Sequence, residues 1–186
     1  MSPADLLLDH FDRIAKRQAT FARASPEGDG APINLAIYRG FPSDGAFTAF
    51  TVGLSHCHPP GGSHQELTIS MQDDDDIWAL AMGVVAHRLR EQSAFNCGDT
   101  INFGEAISGG SSMSAFVVSH PTLISAAECE IDIGVRKIRL VELIPIFQQE
   151  REWLAKGGSL QRMLNDRPRA LLMNPNRTLL IPPNTR

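Results

Sequence analysis

The sequence is poor in the features that mark several large classes of protein. Its three cysteines, Cys57, Cys97 and Cys129, are odd in number and far apart, which predicts reduced thiols rather than a disulfide framework. Aromatic residues make up only 6% of the chain, and this argues against a surface that stacks bases or sugars. No run of about 18 apolar residues occurs, so the sequence predicts no membrane span.

An excess of positive charge is lacking as well. The chain has 17 Lys and Arg against 21 Asp and Glu, a net charge of −4. Such a balance supplies no general field toward phosphate backbones or anionic membranes, so we expect neither nucleic acid nor a membrane as partner. No basic segment precedes the leucine run at residues 6–8, which predicts no signal peptide. Together with the reduced thiols, this predicts a cytoplasmic protein.

The chain does have enough apolar residues for one core, since 42% of its 186 residues are hydrophobic. Trp78, Met82, Val85 and Leu89 recur at helical spacing and predict a helix over residues 76–92. Alternating or β-branched runs predict strands at residues 33–39, 46–52, 66–71, 100–103, 113–119 and 138–144. This order predicts an α+β fold, a single domain with a mixed or antiparallel β-sheet covered by helices.

Two further helices are expected at the ends of this region. Leu7, Phe11, Ile14 and Phe21 share one face of an amphipathic helix over residues 4–24. That helix and a breaker-rich linker complete residues 1–30, which we expect to pack on a main domain of residues 31–186. A later helix is expected to begin at Pro145, which suits the first turn of a helix, and to end at the glycines of residues 157–158.

One group of residues has the chemistry of metal ligands. His56 and His58 would point to the same side of a strand, and Glu66 follows in the sequence. Two imidazoles and a carboxylate can hold a catalytic zinc, so a metal-assisted hydrolase is an alternative function. The prolines and glycines around them favour a solvated polar loop, and no HExxH motif or CxxC pair is present. We therefore predict no metal and no cofactor.

Four consecutive aspartates precede the longest predicted helix: Asp73, Asp74, Asp75 and Asp76. Carboxylates at a helix N-terminus accept backbone N–H bonds and interact favourably with the macrodipole. We expect this capping role, with a site for a cation or a basic partner as the alternative. Cys97 is expected to be packed, and Asp99 to cap a turn. Residue chemistry alone gives no catalytic set, so we predict that the protein is not an enzyme.

Several short motifs occur in a fixed order along the chain. They are Gly53-Leu54-Ser55, Glu66-Leu67-Thr68-Ile69, Phe95-Asn96-Cys97-Gly98-Asp99-Thr100, the run over residues 138–146, and Glu150-Arg151-Glu152-Trp153. This ordered set resembles the suppressor of fused (SUFU) domain family, in its single-domain bacterial form, over about residues 33–180.

The resemblance implies a non-catalytic module that binds a protein partner. Full-length animal members of the family bind transcription factors of the hedgehog pathway, whereas stand-alone bacterial members are thought to act as immunity proteins that neutralise toxins. Because the sequence ends at Arg186, it resembles the N-terminal SUFU domain alone, and the immunity role is the one that the resemblance favours.

We expect the partner where loops meet an uncovered strand edge, since a partner strand can pair with the exposed N–H and C=O groups there. The predicted rims of this surface are His56 and His58 and, for a basic partner, the aspartates of residues 73–76. Glu66 and Asp99, the polar residues of the family motifs, are expected to satisfy buried backbone N–H groups.

Overall fold

A computed structural model describes residues 2–24, 31–57, 63–165 and 167–181. Within these ranges, eight strands form one sheet and five helices pack on it. The strands are β1 (Thr20–Arg23), β2 (Asn34–Arg39), β3 (Phe47–Val52), β4 (Gln65–Met71), β5 (Thr100–Asn102), β6 (Ala115–Ser119), β7 (Glu130–Asp132) and β8 (Lys137–Ile146). The helices are α1 (Pro3–Ala15), α2 (Ile77–Leu89), α3 (Gln148–Ala155), α4 (Leu160–Leu164) and α5 (Arg169–Leu172).

The strands are ordered β1-β2-β3-β4-β8-β6-β5 across the sheet, and β7 pairs with the first residues of β8. β4 and β8 run parallel, and the other strand pairs of the described ranges are antiparallel. The α+β class and the mixed sheet expected from the sequence are confirmed. No helix in the described part of the chain is long and apolar enough to cross a membrane.

The two faces of the sheet are covered by different helices. Successive residues of a strand point to opposite faces, so Leu35 of β2 lies in the cluster under α2, while its neighbour Ala36 lies in the cluster under α1. On the α2 side, Trp78 is completely buried, as its spacing predicted. On the α1 side, Phe11 stacks on Phe50 of β3, with 4.2 Å between the ring centroids.

A third cluster joins the C-terminal part of the chain to the sheet. It lies between β6, the end of β8 and the helices α3 to α5. Trp153 of α3 is partly buried there, and Met163 of α4 is completely buried. The segment after α5 closes this cluster through Leu180.

The N-terminal helix is shorter than predicted. It ends at Ala15, because Lys16 takes a left-handed conformation with φ of 53° and its amide donates to the carbonyl of Asp12. The chain then enters β1, so Phe21 belongs to a strand and not to the apolar face of the helix. The predicted linker at residues 25–30 lies outside the described residues, and the domain boundary at residue 30 stays a prediction.

The predicted helix start at Pro145 is also wrong. Pro145 is part of β8, opposite Phe116 of β6, and α3 begins at Gln148. The carbonyl of Pro145 accepts from Arg177 at 2.9 Å, so the polar side of this residue faces away from β6. A proline is tolerated in a strand where its missing N–H has no ladder partner.

Candidate functional site

Glu66, an acid of the family motifs, accepts hydrogen bonds from four donors. It is completely buried at the start of β4. Its Oε1 accepts from the amides of Gly53 and Ser55 at 3.0 and 3.1 Å, and its Oε2 accepts from Thr51 Oγ1 at 2.6 Å and from the amide of Leu54 at 3.3 Å. Burial raises the pKa of this carboxyl, and the hydrogen bonds lower it in part. Glu66 therefore closes the turn between β3 and the short 3-10 helix Leu54–His56.

The glycine of this turn cannot be replaced without strain. Gly53 has φ of 117°, a conformation that L side chains rarely adopt. A Cβ at this position would lie 2.5 Å from the carbonyl oxygen of Pro32. The motif Gly53-Leu54-Ser55 thus forms a turn whose three backbone N–H groups donate to one carboxylate.

His56 follows this turn and lies near Arg136 and His64. It is half-buried, and its pKa is lowered by burial, by Arg136 and by His64. The carbonyl of Ser55 is bonded to His64 Nδ1 at 2.8 Å and accepts from Arg136 Nη1 at 3.0 Å. His58, the second histidine of the predicted rim, lies outside the described residues.

The metal-assisted hydrolase finds no support in this geometry. A zinc ligand needs a free carboxylate lone pair, but four donors already surround the oxygens of Glu66. Among the residues that the structure describes, no three His, Cys, Asp or Glu side chains are grouped so that they could hold a metal ion.

The acidic run at residues 73–76 folds back on its own helix and on β2. Asp73 Oδ2 accepts from Trp78 Nε1 at 2.9 Å, and Asp75 Oδ1 accepts from the amide of Ile77 at 3.0 Å. Asp76, the residue at the N-cap position, makes no capping bond and instead pairs with Arg39, at 2.6 Å. The expected capping role thus falls to Asp75.

The two predicted rims lie at opposite ends of one strand. His56 lies near the first residue of β4, and the aspartates follow its last residue, Met71. Seven extended residues span roughly 20 Å. His56 and the acidic run therefore lie in two separate regions of the surface.

Asp99 organises the turn before β5. Its Oδ2 accepts from the amide of Asn96 at 2.9 Å, and its carbonyl accepts from Val118 of β6 at 2.9 Å. Gly98 has φ of 96° and donates its amide to the carbonyl of Val118. Cys97, expected to be packed, is exposed, as are the neighbouring residues 96–99 of this turn.

A buried ion pair near the C-terminal end of the described residues was not predicted from the sequence. Arg177 Nη1 and Nη2 donate to the two carboxylate oxygens of Glu150 at 2.7 and 2.8 Å, and both side chains have 0% exposure. Glu150 also accepts from the amides of Leu180 and Phe147. The guanidinium lies 5.1 Å from the centroid of the Phe147 ring. The pair therefore fastens the last described segment to the start of α3.

A third buried acid, Glu142 of β8, was missed as well. It accepts from the amide of Thr122 at 2.8 Å. Burial raises its pKa to about 7. A single acid inside a strand carries no sequence signal of this kind, because the shift depends on which segments cover it.

The exposed surface offers a different feature at the first strand of the sheet. Phe21 of β1 is 62% exposed, and the sequence had assigned it to a buried helix face. With this feature, the described residues define a class: a single-sheet α+β domain whose buried acids hold turns and strands and whose edge strand displays an aromatic ring.

Comparison with known families gives this class a name. The sequence profile of the suppressor of fused protein (SUFU) family matches residues 29–178. The chain therefore belongs to the suppressor of fused family. No curated protein sequence matches it.

Solved structures show the same fold at low sequence identity. A SUFU homologue from Neisseria gonorrhoeae FA 1090 has a TM-score of 0.78 at 17% identity, and the match covers 97% of this chain and 98% of that one. A Sufu–Fu complex gives 0.71 at 15% identity, with 95% and 91% covered. Drosophila Suppressor of Fused gives 0.70 at 15% identity, and the match covers 93% of this chain but 50% of that one.

Proposed function

We propose that this chain is a non-enzymatic domain that binds a protein partner. The use of its buried acids carries the proposal. Glu66 is occupied by backbone amides, Glu150 by Arg177, and Glu142 accepts from Thr122. Acids that a catalytic site would need as free bases are used here to hold the fold, so function is left to the outer surface. A relative in complex with a protein, the Sufu–Fu structure, supports the same proposal.

The specific form we propose is an immunity protein that neutralises a partner toxin. The immunity role is supported by membership of the suppressor of fused family and by the relative from Neisseria gonorrhoeae. The match covers 98% of that relative's chain. The test is co-expression with a secreted toxin encoded beside this gene. We expect growth to be restored, and a toxin that kills equally with and without this chain would contradict the immunity role.

Binding itself is tested without assuming a toxin. The purified chain captures partners from the lysate of its own organism, and each captured protein is then purified and titrated against it. We expect one of them to bind at about micromolar affinity or tighter. The proposal fails if no purified candidate binds.

The acidic run is the proposed rim for a basic partner, and its exposed members allow a sharp test. Asp74 and Asp75 are exposed. Replacing both with Asn slows association at low salt and changes dissociation little, because rim charges act on encounter. The matched control is Glu105→Gln, a change at an exposed acid of a separate loop. Equal association rates for all three proteins would remove the run from the interface.

A further inference from the structure

β1 is the end strand of the sheet, and within the described residues it pairs on one side only, with β2. The amide of Ala24 donates to the carbonyl of Ile33 at 2.9 Å. Along an antiparallel pair, the backbone N–H and C=O groups of every second residue face the same neighbouring strand. The backbone groups of Ala22 and Thr20 therefore face β2, as those of Ala24 do. In an antiparallel pair, the residues between them face the other way. The N–H and C=O of Phe21 therefore point away from the sheet.

The side chain of Phe21 is displayed at the same place. No other Phe, Tyr or Trp of the described residues is exposed to a comparable degree. Its pairing with Ala36 puts the ring on the face that α1 covers, at the edge of the sheet. Short strands and flanking cations are ways in which proteins protect an edge from pairing. An exposed aromatic ring within the strand has the opposite effect.

The edge is preformed, because β1 is fixed on its inner side. A Cβ at Gly83 of α2 would lie 2.7 Å from the Cβ of Ala24, so the helix meets the chain directly after β1 at very close range. The hydroxyl of Thr20 donates to the carbonyl of Ile37 at 3.3 Å. A partner strand thus adds to an ordered template, which lowers the entropic cost of binding.

The segment from residue 13 to residue 26 carries positive charge only, while Asp12 and Glu128 are acids close to Lys16. Between Asp12 and Glu27 the sequence has no acid and four cations, Arg13, Lys16, Arg17 and Arg23, in a chain of net charge −4. Lys16 and Arg17 are exposed. The guanidinium of Arg17 lies over the turn after β2, since Nη1 is 3.1 Å from the position of a Cβ on Gly40. A local positive field in an acidic protein selects acidic partners.

We propose that residues 16–23, named here the β1 edge, bind an acidic segment of a partner protein as an added strand. This inference rests on the proposed binding function and names its surface and chemistry. Phe21 supplies main-chain hydrogen bonds and a ring that packs on an apolar side chain opposite it. Lys16 and Arg17 attract the acids. A second copy of this chain fits poorly, because two-fold pairing brings the same cations face to face.

Nuclear magnetic resonance with the full, isotope-labelled chain tests the surface. The probe is a seven-residue peptide of alternating Glu and Val with blocked ends, and its control replaces each Glu with Lys. We expect amide shifts centred on residues 20–23 and on β2, and at least about tenfold tighter binding of the acidic peptide, weakened by salt. Shifts centred on another edge, or equal binding of both peptides, would overturn the proposal.

Two substitutions of Phe21 distinguish the contribution of its backbone N–H to peptide binding from that of its ring. Phe21→Pro removes an N–H that faces away from β2, so the ladder loses no bond, and we expect binding of the acidic peptide to be lost. Phe21→Ala keeps the N–H and removes the ring, and we expect about tenfold weaker binding. If Phe21→Pro unfolds the chain, as circular dichroism would show, Phe21→Ala alone decides. Wild-type affinity in a folded variant overturns the proposal.

The charge requirement has its own matched pair. Lys16→Glu reverses one cation of the β1 edge, whereas Lys156→Glu reverses one exposed cation after α3. We expect the first to slow association and the second to leave it unchanged. An equal effect of both contradicts the proposal.

Other occupants are distinguishable outcomes. A single-stranded oligonucleotide of the same charge as the peptide, bound equally well, would overturn the protein partner. A wild-type dimer that Phe21→Pro converts to a monomer in analytical ultracentrifugation would assign the edge to a second copy. A captured partner that binds all Phe21 variants equally leaves the binding function intact and removes the β1 edge. If the acidic peptide binds at β1 but no captured protein binds the chain, the β1 edge is supported and the proposed binding of a protein partner is contradicted.

Discussion

Glu66 and Glu150 are both completely buried acids, and the fold satisfies them in opposite ways. Glu66 accepts only from residues 51–55, which lie 11 to 15 positions before it. Glu150 is paired with Arg177, 27 positions after it. The first arrangement uses three backbone amides and the hydroxyl of Thr51, and only the hydroxyl can be removed by a side-chain substitution. The second depends on a cation. It can be broken by substituting either Glu150 or Arg177, and both residues can be replaced together.

The largest effect is expected from breaking the pair on its cationic side. Arg177→Met leaves the charge of Glu150 buried without compensation, and we expect a loss of about 3–5 kcal/mol in the free energy of unfolding. Adding Glu150→Met removes that charge and restores part of the loss. Denaturant unfolding of both variants measures this. Equal stability of the single and double variants would show that the pair is not coupled.

Glu142 sharpens the comparison, since no cation pairs directly with it in the described residues. Its pKa of about 7 lies above the ordinary 4.5, so between these pH values the folded state binds a proton that the unfolded state has released. The free energy of unfolding therefore falls as pH rises from about 4.5 to 7, by about 3 kcal/mol in total.

Glu142→Gln removes this contribution to the pH dependence. We expect a flatter stability profile over the same pH range, measured by urea unfolding. Some slope remains, because burial raises the pKa of Glu66 in the same direction. An unchanged profile in Glu142→Gln would assign the dependence to other groups.

A smaller loss is expected at Glu66 when the shape of the side chain is kept. Glu66→Gln turns one acceptor into a donor that faces backbone N–H groups, and we expect about 2–3 kcal/mol of destabilisation. No second side-chain substitution can restore it, in contrast to the Glu150 pair. Glu105→Gln, the same change at an exposed position, is the control in the same unfolding experiment. A loss no greater than that of the control would contradict the role assigned to this carboxylate.

The smallest effect is expected where the pair is open to water. Arg39 and Asp76 are bonded at 2.6 Å, but their side chains are 47% and 33% exposed. Asp76→Asn is expected to cost less than about 1 kcal/mol, and the difference should shrink as salt is added. A larger, salt-independent loss would mean that this contact also supports α2.

The contrast between partners that are near and far in the sequence also explains which features could be predicted from the sequence. Strands with alternating residues and the α2 face with Trp78 were predicted because their signals lie within a few neighbouring residues. The role of Glu66 was predicted from its place in the family motifs, and its donors belong to a turn 11 to 15 positions before it. The pairing of Glu150 with Arg177 was not predicted, because two distant segments meet only in the folded chain.

β1 was missed for a local reason. Residues 13–23 contain neither Gly nor Pro, so nothing in the sequence marks the end of α1. The helix ends on the left-handed conformation of Lys16, at a position where glycine is the usual signal. The two rims were assigned to one surface although the strand predicted at residues 66–71 lies between them, and the length of that strand keeps them apart.

The parallel pairing of β4 with β8 has a consequence for synthesis of the chain. β4 is buried along all seven residues, yet its neighbour β8 begins only at Lys137. At typical translation rates of about 5–20 residues per second, the growing chain presents the unpaired side of β4 for roughly 4–15 s before β8 is complete. During that interval β4 has an open edge, with Leu67, Ile69 and Met71 along the strand, in a crowded cell. The nascent chain, more than the finished protein, is therefore the state in which we expect this fold to need a chaperone.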